Sequence, residues 1–477
     1  MPQVEEVTIA PEPITRFGAL LDAAQMREAD AVAQATARRL EGRAWWNVNS
    51  TATGGGVAEM LPSLLSYARG VGIDARWLVI TGNDAFFHLT KRMHHALHGM
   101  PGDRSPLGDD ERAIYEAVMA SNADGILELV QPRDIVLLHD PQTAGLAPIL
   151  IRHGATVIWR CHVGADVPNE QTALAWRFLK PYLEDVAATV FSRQAYVPTG
   201  FVPERSVVIA PSIDAFVPKN QDLDETTVRA ILVQAGLISG HPGEGQPLFQ
   251  RLDGTTGRVE RRADVVGTGP LPAWDTPLIV QVSRWDPLKD PIGVIEAFAA
   301  LVRQGADHQA ELLLAGPNVA AVSDDPEGLA TFNEVVAACH GLPEAIRSRV
   351  HLASLPMTDT AENAAIVNAL QRHAAVVVQK SLREGFGLTV TEAMWKARPV
   401  VATRVGGIQD QIENGVHGLL IDDATDAGAF AEALGQVLSD HSLAKRLGTA
   451  ARRRVQEKYL GVQHLMRYAD LLEQLER

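Results

Sequence analysis

The chain has little cysteine, with two in 477 residues, Cys161 and Cys339, far apart and in no C-x-x-C pattern. A disulfide framework is excluded, and a reducing cytoplasm is the expected compartment. Cys161 precedes His162, but two adjacent residues without a further ligand motif make no metal site, so Cys161 reads as a small buried hydrophobe. Positive charge is also short. Lys plus Arg number 43 against 58 Asp plus Glu, a formal balance of −15. Proteins that grip nucleic acid through its phosphates carry a basic surface, so no nucleic-acid partner is expected. A small anionic ligand is still compatible, because a local cluster of cations outweighs a distant field. No run of about 18 apolar residues occurs, which excludes a helical membrane span. The acidic, proline-bearing first 17 residues lack the basic-then-apolar order of a signal peptide. The G-x-x-x-x-G-K-[ST] and G-x-G-x-x-G fingerprints are both missing.

What is present is ordinary globular material, 46% apolar and 21% charged, enough for two to three domains at about 150 residues each. Short, nearly all-apolar runs alternate with amphipathic ones. The strand-like runs fall at 76–81, 134–139, 156–160, 188–192 and 206–210, then at 278–283, 311–315, 349–353, 374–379, 399–403 and 418–421. Helical spacing marks 57–70, 171–183, 291–302, 361–372, 389–396 and 429–439, and 443–475 reads as one charged helical stretch. This alternation predicts an α/β fold with parallel sheets covered on both faces, and ligands at the carboxyl edges of the strands. Residues 1–215 are expected as one Rossmann-like domain and 278–460 as a second. Residues 216–277, rich in Gly, Pro, Asp and Arg, are expected as a linker with an irregular insertion near 246–272. Residues 461–477 are expected as a helix able to pack back on the first domain.

Three motifs follow strand-like runs. In Glu384-Gly385-Phe386-Gly387-Leu388-Thr389-Val-Thr-Glu392, glycines allow close backbone approach and the first helical amides can receive phosphate oxygens. One to two helical turns set the glutamates ~8–12 Å apart, about the reach of a diphosphate carrying a sugar at each end. The same spacing fits a capped surface helix with two solvated glutamates. In Arg284-Trp-Asp-Pro-Leu-Lys289, two cations flank a proline turn and can converge on one anion; a surface pairing with Asp286 and Asp290 is the plain alternative. Asn49-Ser-Thr-Ala-Thr-Gly54-Gly55-Gly56 is a glycine turn leading into a helix. His139-Asp140 and His162, followed by Asp166, sit at the ends of two successive strands.

Together these residues resemble the retaining glycosyltransferases of family four, which have the GT-B architecture of two Rossmann-like domains facing across a cleft. The E-x7-E element, the Arg284/Lys289 pair and the early glycine turn occur in that family's order. The phrases VNST-x-x-GGGVAE, HDPQ, WRCH, QVSRWDPLK and REGFGLTVTEAMWK resemble its trehalose-forming branch, whose motif set the retaining trehalose phosphorylases share. The resemblance implies an NDP-glucose donor (UDP, ADP or GDP) and glucose or another small sugar as acceptor. Arg284 and Lys289 would hold the diphosphate, Glu384 the transferred sugar and Glu392 the ribose. Gly55, Gly56 and the backbone of Gly385, Phe386, Gly387, Leu388 and Thr389 would line the donor, with His162 beside the transferred sugar. Asn49, His139, Asp140 and Asp166 are the acceptor-side candidates. No cofactor and no metal are expected, since the D-x-D at Asp222–Asp224 lies in the expected linker. A homodimer is one assembly the sequence leaves open. Two features depart from the pattern: the size of the 246–272 insertion, and the sequence Val163-Gly-Ala-Asp166 after His162.

Overall fold

The computed structural model describes residues 4–53, 55–319 and 326–475; Gly54 of the glycine turn lies outside them. The chain divides into two compact units. The first joins residues up to Ser212 with those from Tyr459 onward, and the second is Ile213–Lys458. No helix among the described residues is long and apolar enough to cross a membrane.

In the first unit, seven strands of the described chain form one sheet: β1 (Val4–Val7), β2 (Trp45–Asn49), β3 (Ala75–Ile80), β4 (Ile135–His139), β5 (Thr156–Cys161), β6 (Ala188–Phe191) and β7 (Ser206–Val208). Their order is β1-β3-β2-β4-β5-β6-β7, parallel except for β1. Every residue of β2 is buried, as a strand covered on both faces requires. Its side chains alternate between two cores. Trp46 and Val48 join Leu78, Leu138 and Trp159 on one face; Trp45 joins Trp77, Leu137 and Ile158 on the other. The Gly461–Gln474 helix adds Tyr468, Leu471 and Leu472 to the second core and packs on helices Ala23–Arg39 and Gly56–Gly70. The helical stretch expected from 443 onward is two helices, His441–Lys458 and Gly461–Gln474. The break falls where the chain re-enters the first unit.

The second unit holds β8 (Leu248–Gln250), β9 (Thr256–Arg258), β10 (Asp264–Val266), β11 (Leu278–Val282), β12 (Glu311–Pro317), β13 (Val350–Leu355), β14 (Val376–Gln379), β15 (Val400–Thr403) and β16 (Leu419–Ile421). The sheet runs β10-β13-β12-β11-β14-β15-β16, with β10 antiparallel, and β8-β9 is a separate hairpin. Leaving aside one antiparallel edge strand in each, the second unit has the Rossmann strand order 3-2-1-4-5-6 and the first the related doubly wound order 2-1-3-4-5-6. The strand order reverses at β2 in the first and at β11 in the second, the points where such folds bind ligands.

The expected linker is corrected by this arrangement, because 216–277 clusters with the second unit. Asn368 donates to the carbonyls of Pro218 and Gln221, each at 2.9 Å, and Lys396 Nζ to Asn220 Oδ1 at 3.1 Å. The Glu225–Gln234 helix packs on Thr360–His373, and Arg251 pairs with Asp359 at 2.5 Å. The insertion supplies the β8-β9 hairpin and the edge strand β10. Its glycines and prolines are the turns between these short strands.

Candidate active site

The second unit presents its motifs from the two strands at the switch point. The turn after β11 carries Arg284 to Asp290, and the turn after β14 carries Lys380 to Gly387. Adjacent strands bring the turns together. Leu382 N–H donates to Leu288 O (2.8 Å), and Gln281 in β11 ties both turns, donating to Lys289 O (3.0 Å) and accepting from Lys380 N–H (3.1 Å). Lys289 Nζ thereby lies 2.6 Å from Glu384 Oε2, which also accepts from Ser381 Oγ at 3.1 Å. The side chains of Lys289 and Glu384 are 18% and 10% exposed, so their attraction is little screened.

Gly387 is left-handed, with φ +85°, and opens the Leu388–Trp395 helix. A residue with a Cβ is strained in that conformation. The first-turn amides, at Leu388 and Thr389, have no acceptor inside the helix. Gln411 holds the approach by donating to Phe386 O (2.6 Å), and Gly407 N–H donates to Gly385 O (3.0 Å). Thr389 Oγ1 donates to Gln379 Oε1 at 3.1 Å. Glu392 lies within this helix, buried, with Lys219 Nζ 3.3 Å from Oε1. Neither glutamate is solvated, which removes the surface-helix alternative. Burial pushes Lys396, one turn beyond Glu392, down to about 7, against the raising field of Glu392.

The two cations of the other motif do not converge. Lys289 faces Glu384, whereas Arg284 lies on Asp286 at 2.8 Å with its side chain 62% exposed. Sequence reasoning also missed Lys380. It is buried, pairs with Asp290 and donates to Ala424 O at 2.7 Å. Asp290 in turn caps the Pro291–Arg303 helix through Gly293 N–H (3.1 Å). A Cβ on Gly293 would collide with both Asp290 Oδ2 and Lys380 Nζ. Gly293→Ala is therefore expected to cost on the order of 1–3 kcal/mol, read as a lower urea midpoint at unchanged slope. An unshifted midpoint would show that the Lys380–Asp290 contact yields freely.

In the first unit, Gly55 is left-handed (φ +84°) and precedes the helix that begins at Gly56; a Cβ there would meet open space. The β2 and β4 ends and the residue after β5 form a cluster. His139 Nδ1 is 3.0 Å from His162 Nε2, and His139 Nε2 is 3.0 Å from Asn47 Oδ1. Asp140 has φ +62°, uncommon for a residue with a side chain and costly unless the surroundings enforce it. Its Oδ1 accepts from His162 N–H at 2.8 Å. Burial pushes the Asp140 carboxyl up to about 7, opposed by that hydrogen bond and by Arg160. Arg160 is fully buried. It donates to His464 Nε2 (2.8 Å), to Ile209 O (3.0 Å) and to the Tyr468 hydroxyl, while His464 Nδ1 meets Ser212 Oγ at 2.8 Å. Burial first, and the Arg160 charge second, hold His139, His162 and His464 well below the usual histidine range.

Two acceptor-side expectations change. Asn49 is buried and engaged, accepting from Trp77 Nε1 (2.8 Å) and donating to Thr51 O (2.7 Å). His139 is 1% exposed with both ring nitrogens taken. Both shape the strand ends from behind instead of offering a group to a sugar. Asp166 is paired with Arg193. His162 and Asp140 are the candidates that retain partial exposure at the strand ends.

Two Rossmann-like units, each with its polar residues at the switch point of the sheet, have the architecture of the GT-B fold, and the family matches make the chain a glycosyltransferase. Residues 47–198 match the model of the trehalose synthase N-terminal domain, and residues 271–454 that of glycosyl transferases group 1. The chain belongs to the trehalose synthase family: it is 36% identical to the trehalose synthase of Rubrobacter xylanophilus over 90% of this chain and 89% of that one. It is 26% identical to the trehalose phosphorylase of Pleurotus sajor-caju, over 85% of this chain and 54% of the other. Among solved structures it resembles the UDP-forming α,α-trehalose-phosphate synthase of Burkholderia xenovorans, with TM-score 0.65, 16% identity, and coverage of 91% and 100%.

Proposed function

We propose that this trehalose-related glycosyltransferase moves glucose from NDP-glucose to glucose with retention, forming α,α-trehalose and a nucleoside diphosphate. The observation that carries the reading is the Lys289–Glu384 pair beside the glycine-led helix start. This is a cation, a carboxylate and two open amides on one strand edge. The C1–O bond to the diphosphate breaks as the C1–O bond to the acceptor forms on the same face, and the leaving phosphate oxygen takes the acceptor hydroxyl's proton. Negative charge grows on the diphosphate in that step. The cation held at Lys289, with the amides of Leu388 and Thr389, stabilises it more in the transition state than in the ground state, and the exposed Arg284 is assigned to the same diphosphate on its solvent side. Glu384 accepts from the transferred sugar's hydroxyls and Glu392 serves the ribose. His162 is assigned to the transferred sugar and Asp140 to the acceptor. No enzymic base is required on this route, which accords with a His162 ring whose lowered pKa makes it a weak proton acceptor.

Purified protein incubated with glucose and, separately, UDP-, ADP- and GDP-glucose, without added metal, should release nucleotide and form trehalose. Arg284→Ala should lower that rate by on the order of 10²-fold. Nucleotide release without trehalose would overturn the acceptor assignment. Formation of glucose 1-phosphate from trehalose plus phosphate, with no use of nucleotide sugars, would replace the reading by a phosphorylase.

A further inference from the structure

The first unit carries a polar device that the transfer chemistry does not itself call for. β2 reads Trp45-Trp46-Asn47-Val48-Asn49, and Asn47 is fully buried between Trp46 and Val48. A buried amide is unfavourable unless its hydrogen bonds are used; Asn47 leaves its Nδ2 without a hydrogen-bond partner among the described residues and spends its Oδ1 on a histidine. Asn47 stands opposite Leu137, two residues before His139, and its Oδ1 faces His139 Nε2 at 3.0 Å. His139 Nδ1 faces His162 Nε2 at 3.0 Å. The imidazole planes differ by only 15° with centroids 5.3 Å apart, so the rings lie nearly coplanar and edge to edge. The N···N contact then runs along the direction in which one nitrogen's proton and the other's lone pair point.

We infer that Asn47 is a positioning residue for the transfer reaction, fixing His139 and through it His162 as neutral imidazoles protonated on Nε2. The assignment follows from donor and acceptor balance. With the Asn47 amide oxygen turned to His139, and an amide oxygen only accepting, His139 Nε2 carries a proton. In a neutral ring its Nδ1 is then bare, and His162 Nε2 must donate to it. His162 is left with one ring orientation and a bare Nδ1 as its free acceptor. A proton added to His139 Nδ1 would set two N–H groups against each other unless His162 moved its own proton to Nδ1. The charged groups around the pair agree. The buried Arg160 guanidinium disfavours an added cation, and its own partner His464 is likewise held neutral. Asp140 binds the His162 backbone amide. The inference rests on the reading that His162 works beside the transferred sugar.

The test is long-range 1H–15N correlation spectroscopy on the full chain labelled at histidine, with the two rings assigned through H139Q and H162Q. Both should appear as Nε2–H tautomers and remain neutral at pH 6. An Nδ1–H signal on either ring, or an imidazolium at pH 6, would overturn the proposal whatever the enzyme's substrate. N47A should lower kcat by on the order of tenfold or more, with a smaller change in donor KM. H139Q, whose amide oxygen can still accept from His162, should retain more kcat than H139L. An N47A variant with unchanged kcat, or equal loss in H139Q and H139L, would also overturn it. Unimpaired transfer by H162A would remove His162 from the reaction and with it the positioning role of Asn47, while the tautomer assignment is decided by the spectroscopy.

Discussion

Lys289→Ala is expected to lower kcat/KM for the nucleotide sugar by on the order of 10²–10³-fold, the usual cost of losing one preorganised group that stabilises developing charge. The size follows from the local geometry. Lys289 Nζ sits 2.6 Å from a carboxylate whose side chain is 10% exposed. The variant therefore loses the cation facing the diphosphate and also leaves Glu384 nearly buried without this counter-charge. Groups in such contact act as a unit, so their losses do not add. A cycle of K289A, E384Q and the double variant should show the double to be less impaired than the product of the singles. Strict multiplication of the two losses would separate the residues into independent roles. A K289A enzyme within threefold of wild type would remove Lys289 from the chemistry altogether.

Acid should weaken the first unit well before the ordinary carboxylates titrate. His139, His162 and His464 have folded pKa values well below the usual 6.5. As pH falls through 6.5, the unfolded chain takes up three protons that the folded unit refuses. The unfolded state then binds more protons, so stability falls with falling pH, by up to ~1.4 kcal/mol per pH unit for each histidine. Asp140 works against this. Its folded pKa of about 7 exceeds the unfolded value, so between roughly pH 4 and 7 the folded unit holds one extra proton and gains stability as pH falls. Three histidines oppose one carboxyl, so the net effect is a loss of stability as pH falls below 6.5. Hydrogen exchange of the β4 and β5 amides, corrected for intrinsic rates, should show protection falling over that interval. Flat or rising protection would mean that the histidines are not held neutral.

Much of the fold could be read from the residues because parallel strands buried on both faces are nearly all apolar. Runs such as Leu278–Val282 and Val376–Gln379 have no other easy reading, and each is fully buried. The edge strands escaped notice. Val4–Val7 and Asp264–Val266 pair on one side only and lack the continuous burial of the central strands. The stretch 216–277 reads as a linker because its elements are short and everything that binds it lies far along the chain: β13, the Thr360–His373 helix, and the side chains of Asn368, Arg372 and Lys396. The site motifs were legible because they follow strands at the switch points. Their partners were not. Asn47, Lys219 and Lys380 act across strand neighbours or from a distant segment, and only the register brings them to His139, Glu392 and Asp290. The one local signal was a polar residue inside an apolar strand, as in WWNVN. His139 and Asn49 were assigned to an acceptor because strand-end polar residues often face ligands. Here their hydrogen-bonding capacity is used inside the sheet edge.

The central claim, transfer from a nucleotide sugar with retention, is tested most directly by following NDP-[1-13C]glucose and unlabelled glucose in one NMR time course. The account predicts loss of the α-linked donor C1 signal, its reappearance as the α-configured C1 of trehalose, and release of one nucleoside diphosphate per disaccharide. A β-configured C1 in the product, or labelled glucose with no disaccharide, would contradict it.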